Sequence, residues 1–299
     1  MCRRIANSVG LTERARAMHR AQTGVHLRIF RAERIMIDTA WNIPNVQSPF
    51  WRLYANKQDG ASLLLDSGEF LLRAGEVYLV PAMVPFSCKN VRSVEHFYIH
   101  FDVIGLSLLA LSEQWNRPMV VPRAPLLMDT VREIVNDMPL VEWPPLNQPP
   151  IDGFTFYQEC RLKSVIYTAL ASAMDAMPAD VREQGERCAR QIEPVLPAVD
   201  YIHTHLGGDL SVPVLALQCQ LSPDTFARRF RECAGQTPTQ YVLEQRITNA
   251  AQRLLFSRDS IDRIAETTGF GNRFYFSRLF ARRFGLSPAA FRRAGQAGI

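Results

Sequence analysis

A phrase near the carboxyl end of the chain is written twice, fifty residues apart. Phe226, Arg228, Phe230, Gly235, Pro238 and Tyr241 recur as Phe276, Arg278, Phe280, Gly285, Pro288 and Phe291, and Thr237 is answered by Ser287. Upstream, Leu215-Ala216 is answered by Ile264-Ala265, one residue out of that step. The repetition means that one small unit is built twice. Each copy reads as helix, tight turn, helix, because an apolar stretch breaks at a turn signal before a second helical pattern begins. The signals are Leu221-Ser222-Pro223 in the first copy and Gly269-Phe270-Gly271-Asn272 in the second.

The second helix of each copy carries the information. Ser222 can cap the first, with Pro223 at a position where its missing N–H costs nothing. At helical spacing Phe226, Phe230 and Cys233 fall on one face, and Asp224, Ala227, Arg228 and Arg231 on the other. In the second copy Asn272 is the expected cap, and Phe276 and Phe280 turn inward. Phe274, Ser277, Arg278 and Ala281 turn outward there. From Leu221 onward there are thirteen Arg and no Lys against six acids, a net +7, whereas the whole chain is +5. The basic charge is therefore concentrated on the repeat. Guanidinium offers paired donors in a fixed plane, which suits phosphates and guanine edges.

These residues carry a resemblance. The chain from about Ile192 to Arg293 resembles the DNA-binding domain of the AraC/XylS transcription regulators, through Ile264-Ala265, Gly269-Phe270, Phe276-Ser277-Arg278, Phe280, Phe284-Gly285, Ser287-Pro288 and Phe291-Arg292. The resemblance implies seven helices with two helix-turn-helix units, joined by one helix that would run here from Thr239 to Phe256. About eighteen residues at 1.5 Å each span roughly 27 Å, so one chain can reach two adjacent major-groove segments of double-stranded DNA. The expected base readers are Asp224, Ala227 and Arg228 in the first copy and Arg273, Phe274, Ser277 and Arg278 in the second. Arg229, Arg231, Arg282, Arg283, Arg292 and Arg293 divide between phosphate contacts and solvated charge. Arg246 reads as a helix-packing residue.

At 299 residues and 47% hydrophobic composition, the chain has room for two domains with proper cores. No run of eighteen apolar residues exists, so no membrane span is expected. Met1-Cys2-Arg3-Arg4 is followed by no apolar stretch and does not read as a secretory signal. Six cysteines, at 2, 88, 160, 188, 219 and 233, suggest neither a metal site nor a disulfide framework. A reducing cytoplasm, beside the nucleoid, is the expected home.

From His26 to Val103 short β-prone runs follow one another: Leu27–Ile37, Phe50–Ala55, Ala61–Leu65, Phe70–Leu72, Val77–Val80 and His96–Val103, with Gly, Asn or Pro in most gaps. This predicts a sandwich or barrel. Arg73 to Pro85 resembles the turn-strand-proline passage of cupins, which implies a cupin-like sensor barrel ahead of the DNA-binding domain. Gly75 and Pro81 fit that family's second metal motif, but Met83 and Phe86 stand where it has glycine and the histidine ligand. No metal and no cofactor are therefore expected.

A small-molecule pocket is the alternative use of such a barrel. Strand alternation puts His96, Tyr98 and His100 on one face and Phe97, Ile99 and Phe101 on the other. The polar face would hydrogen-bond a sugar-like effector, with Trp51 or Phe86 stacking on it, and a charged residue such as Arg52 could complete the pocket. The same alternation also suits histidines on a solvent face over a Phe core. Pro125–Met138 and Phe154–Met174 read as helices around a proline-rich loop, 139–150. On the second of them Leu162, Val165, Ile166, Ala169, Leu170 and Ala173 form a stripe that could pair subunits.

The expected fold is thus α+β and multidomain. An arm (1–25) precedes a cupin-like effector-binding barrel (26–122) and a helical dimerisation segment (123–178); a linker (179–191) leads to an all-α DNA-binding domain (192–299) with two helix-turn-helix units. The expected role is a sequence-specific transcription regulator and not an enzyme. It would act as a homodimer on double-stranded DNA, with RNA polymerase as a further partner and a small polar metabolite, such as a sugar, as effector. Two other readings remain open: a cupin-type enzyme with a fused DNA-binding domain, and a ligand-independent regulator whose front domain binds a protein.

Overall fold

The structure, a computed structural model, describes residues 26–104, 115–122, 125–142, 154–183 and 193–298. The expected arm (1–25) and most of the expected linker (179–191) lie outside them. Among the described residues, nine strands build the amino-terminal part: β1 (His26–Ile37), β2 (Trp51–Asn56), β3 (Ala61–Leu65), β4 (Gly68–Leu72), β5 (Val77–Val80), β6 (Ser87–Asn90), β7 (Val94–Ile104), β8 (Met119–Val120) and β9 (Leu140–Glu142). They form a six-stranded sheet, ordered β8-β5-β2-β7-β1-β9, and a three-stranded sheet, β4-β3-β6. The expected barrel is thus two facing sheets.

The large sheet is buried on both faces. On one, Leu53, Val77, Leu79, Phe97, Ile99 and Phe101 pack against helices α1 (Pro125–Asp137) and α2 (Phe156–Asp175). On the other, Ile35, Tyr54, Tyr78, Val80, Val94 and Tyr98 meet Leu63, Leu72, Phe86 and Cys88. The result is three layers: helices, six strands, three strands. Thr155 starts α2 with a reciprocal capping box to Gln158. The apolar stripe of α2, Leu162 through Ala173, is consumed by the sheet and α1 and offers no face to a second chain. The proline-rich loop was expected to begin at 139, yet Leu140–Glu142 adds a parallel edge strand beside β1.

Among the described residues, seven α-helices form the carboxyl-terminal part: α3 (Leu196–Thr204), α4 (Val212–Gln218), α5 (Pro223–Ala234), α6 (Pro238–Phe256), α7 (Ile261–Thr267), α8 (Arg273–Phe284) and α9 (Pro288–Gly298). The written repeat becomes a physical one. Helices α4 and α7 have seven residues each, and α5 and α8 have twelve. In each turn the chain passes through a left-handed residue, Gln220 (φ 54°) or Gly269 (φ 81°). Each turn then returns a backbone N–H to the first helix, Leu221 to the Ala216 carbonyl and Phe270 to the Ala265 carbonyl. Phe226 and Phe230 fill one core and Phe276 and Phe280 the other, all fully buried.

Both second helices stop on a glycine. Gly235 (φ 68°) and Gly285 (φ 72°) adopt the left-handed conformation that turns the chain into the next helix. An added methyl group at Gly285 would meet nothing within 4 Å, so the conformation alone sets the penalty. Gly285→Ala is therefore expected to cost about 1 kcal/mol of stability in chemical denaturation, and Gly285→Asn less, because Asn tolerates this region. An alanine variant as stable as the parent would contradict the cap.

Candidate functional site

Two surfaces have the chemistry of a functional site, one exposed and basic, the other buried and polar. The basic surface is made by α5 and α8. Ser222 accepts from the Thr225 N–H to start α5, and Asn272 accepts from the Phe274 and Tyr275 N–H groups to start α8. With the phenylalanines inward, Asp224, Arg228, Arg229 and Arg231 on α5 are exposed, with Ala227 half-buried between them. On α8 Arg273, Phe274, Arg278, Arg282 and Arg283 are exposed and Ser277 is half-buried. Phe274 is 77% exposed, a large apolar ring with nothing of its own fold to cover it. Arg228 lies 3.7 Å from Glu232 and Arg273 2.9 Å from Asp262, both solvent-exposed pairs that a stronger partner can displace.

Helix α6 holds the two units in register. Its Arg246 donates to the Leu206 and Gly208 carbonyls at 2.9 and 2.8 Å, pinning the loop before α4. Arg246 thus packs helices, as its position suggested. Arg292, expected among the phosphate contacts or solvated charges, instead donates to the carbonyls of Leu254 and Asp259 at 3.1 and 2.7 Å. Its guanidinium ties α9 to the end of α6, where the last carbonyls lack helical partners.

The buried surface lies between the two sheets. Strand register sets it out in cross-strand ranks. Arg52 of β2 faces His100 of β7, which faces Arg31 of β1. One rank along, Tyr78, Tyr54, Tyr98 and Glu33 succeed one another across four strands. The next holds Asn56, His96 and Ile35. Glu33 takes the Arg31 guanidinium at 2.8 Å and the Tyr98 hydroxyl at 2.5 Å. Asn56 donates to the Leu72 carbonyl, which turns its amide oxygen toward His96 Nδ1 at 2.6 Å. That contact fixes His96 as the Nδ1–H tautomer. Burial holds the His96 imidazole down to about pKa 3. Burial, then Arg52 and Arg31, push His100 well below its ordinary value, so both rings are neutral at pH 7.

The two surfaces meet at the end of α6. Gln252, buried, donates to the Pro49 carbonyl at 2.9 Å and to Asp102 at 3.2 Å, and accepts from Arg28 at 2.6 Å. Phe256 stacks on Phe30 with ring centroids 5.0 Å apart and lies 5.1 Å from Phe50 and 6.4 Å from His100. The bulge between Ile29 and Arg31 is what turns Phe30 out of the strand pattern.

Comparison with known proteins bears on the carboxyl-terminal part. A family model described as "Helix-turn-helix domain" matches residues 215–294. The MmsAB operon regulatory protein of Pseudomonas aeruginosa is 39% identical over 101 residues, 33% of this chain and 33% of that one. The carboxyl-terminal part is an AraC-type helix-turn-helix domain. The raffinose operon transcriptional regulatory protein RafR of Pediococcus pentosaceus is 22% identical over 252 residues, covering 84% of this chain and 87% of its own. Among solved structures, the DNA-binding domain of AdpA in complex with a target DNA is 36% identical with a TM-score of 0.34, covering 35% of this chain and 94% of that one. ToxT from Vibrio cholerae O395 is 11% identical with a TM-score of 0.46, covering 90% and 97%. The chain matches only about a third of the length of the MmsAB regulator.

Outside the AraC-type domain, the anticipated pocket residues separate. His96, Tyr98, His100 and Phe86 are buried between the sheets, which removes the solvent-face reading of the histidines. Trp51 does not join them. As an odd-numbered residue of β2 it faces the helices, against Phe101 and Trp115. Met83, where the cupin pattern has glycine, keeps a glycine-like φ of 65°. Phe86, where that pattern has its histidine, lies 5.2 Å under the Arg52 guanidinium. Among the described residues no group of three His, Cys, Asp or Glu could hold a metal ion. Glu33, Gln252 and Phe256 were not anticipated. A signal existed for the last, because Leu254-Leu255-Phe256 is too wide an apolar run for one helix face.

The neutral histidines make a pH prediction. A histidine whose folded pKa lies below its unfolded one leaves the unfolded chain binding more protons below about pH 6.5. Its contribution is complete above that pH and is lost on acidification. For His96 the window runs from about 6.5 down to about 3, at roughly 1.4 kcal/mol per pH unit, or about 2 kcal/mol by pH 5. Asn can replace the Nδ1–H donor, so His96→Asn should unfold in urea with a shallower pH dependence between 7 and 5. An unchanged slope would refute the buried neutral ring.

Proposed function

We propose that the chain is a DNA-binding transcription regulator whose two-sheet domain senses a small polar metabolite. The single observation that carries the DNA reading is the duplicated pair of glycine-stopped helices, each turning an arginine-rich face outward from one shared helix. Regulatory relatives named for operons support the same role. Arg228 and Arg278 are the guanine readers, Asp224 accepts from cytosine, and Phe274 contacts a thymine methyl. Ala227 and Ser277 permit close approach of the helix, and Arg231 and Arg282 neutralise phosphates. Arg273 reads a base only after leaving Asp262.

The polar ranks between the sheets are the sensor, and α6 is the coupling element. Gln252 and Phe256 bind the end of the sensor to the helix that spaces the two readers. An effector that favours one arrangement of this contact shifts the domain toward or away from its DNA-competent form. No step of this role calls for catalysis. Pairing of two chains, which repeated half-sites would reward, has to use a face other than the stripe of α2. RNA polymerase is the remaining partner for activation.

Selection of bound sites from random duplexes tests the reading directly. The parent chain should recover a motif covering two adjacent major-groove segments. Arg228→Ala and Arg278→Ala should each weaken the selected site by roughly five- to a hundredfold and relax preference at one base position. Arg231→Ala should weaken all sequences alike and flatten the salt dependence. Intact affinity and preference in Arg278→Ala would place the reading face elsewhere on α8.

A further inference from the structure

The charges between the sheets do not balance. Arg31 and Arg52 point inward from β1 and β2, and Glu33 is the acid that answers them. Glu33 is taken by Arg31 at 2.8 Å and by the Tyr98 hydroxyl. Arg52 is 4% exposed, and among the described residues it forms no ion pair. It donates to the Ser48 hydroxyl at 2.5 Å and sits over the rings of Phe50 and Phe86, 4.5 and 5.2 Å from their centroids. The other acidic groups around it carry no charge. Burial pushes the Cys88 thiol up to about 12 and the Tyr54 and Tyr98 phenols above their ordinary values, so all three stay protonated. Beside Arg52 in the same rank, His100 is 6% exposed and its Nδ1 has no hydrogen-bond partner.

A buried guanidinium without an anion and a buried imidazole nitrogen without a partner are each unfavourable. Here the two are cross-strand neighbours, so one anion could answer both. We propose that Arg52 and His100 together bind a small organic carboxylate, with its charge on Arg52 and one oxygen accepting from His100 Nδ1–H. Among the described residues the surplus is a single positive charge, which one carboxylate neutralises; a phosphate dianion would leave a buried negative charge among phenylalanines. The rest of the wall is aromatic, from Phe30, Phe50, Phe86 and Phe256, so the acid has an apolar body. Phe256 belongs to α6, and a body lying against Phe50 competes for the place its ring now holds. The inference rests on the reading of this interior as the sensor and sharpens it from a polar metabolite to an acid.

The test uses the full chain and matched probes: phenylacetate against phenylacetamide, butyrate against butyramide, with glucose and inorganic phosphate beside them. Calorimetry and thermal unfolding should register at least one acid and neither amide. Arg52→Gln should lose at least about thirtyfold in affinity for that acid, roughly 2 kcal/mol. The same variant should unfold without ligand at a temperature equal to or above the parent's, because it removes an uncompensated charge; a merely structural arginine would lower it. Arg52→Lys should keep binding within about tenfold, and Phe256→Ala should tighten it. Equal binding of acid and amide, preference for phosphate, a destabilised ligand-free Arg52→Gln, or no acid bound at all overturns the proposal. If glucose binds instead and its affinity falls in Tyr98→Phe but not in Arg52→Gln, the sensor reading stands while the acid is refuted. If no probe of any class binds, the acid is refuted and the sensor reading loses its support as well.

Discussion

Helix α6 is the constraint on which the rest of the molecule depends. Its first turns supply Tyr241 and Val242 to the core of the first helix-turn-helix unit, and Ile247, Ala250, Ala251 and Leu254 belong to the core of the second. Its last turn supplies Gln252 and Phe256 to the two-sheet domain. One rigid element of nineteen residues therefore takes part in three packing problems at once. It cannot rotate to improve one contact without disturbing the others, because packed interiors resist continuous deformation. Arg246 and Arg292 reinforce this from opposite sides, each binding carbonyls that a helix end or loop leaves free.

How far the sequence could be read depended on whether a segment has one buried face or two. The reading helices have one, so phenylalanine spacing and glycine stops located them almost to the residue. Strand β7 has two. His96, Tyr98 and His100 alternate correctly with Phe97, Ile99 and Phe101, but alternation alone could not say that both sets are buried, one against a second sheet and the other against helices. Trp51 was misassigned for the same reason, since an aromatic residue suits either face of a covered sheet. Strand β9 has three residues, too few for any period to appear. The stripe of α2 was visible, but its partner was not: an apolar face looks alike whether its own sheet or another chain covers it.

The polar interior departs most from what stability alone would select. A sheet pair of this size could be filled with Val, Ile and Leu. This one instead keeps two arginines, a glutamate, two neutral histidines and three tyrosines in cross-strand ranks. Most of these groups satisfy one another; the exceptions are the charge of Arg52, which no acid answers among the described residues, and His100 Nδ1 beside it, which has no hydrogen-bond partner. The pair lies at the end of the sheet that touches α6, where Phe256 comes within 6.4 Å of the His100 ring.

That placement also bounds how strong any coupling could be. A ligand shifts an equilibrium only by the difference in its affinity for the two states. In the proposed switch the two states would differ in the docking of Phe256 and Gln252. Burying a phenylalanine side chain is worth about 1.5–3 kcal/mol, and a net hydrogen bond about 1 kcal/mol. With the three hydrogen bonds of Gln252, undocking this end of α6 therefore costs on the order of 4.5–6 kcal/mol. A ligand that replaces the Phe256 ring with its own body and satisfies the buried cation can supply a free energy of that size. If the proposed effector acts here, such an interface would hold α6 in one arrangement without ligand and yield to a small molecule, the balance a switch between two domains needs.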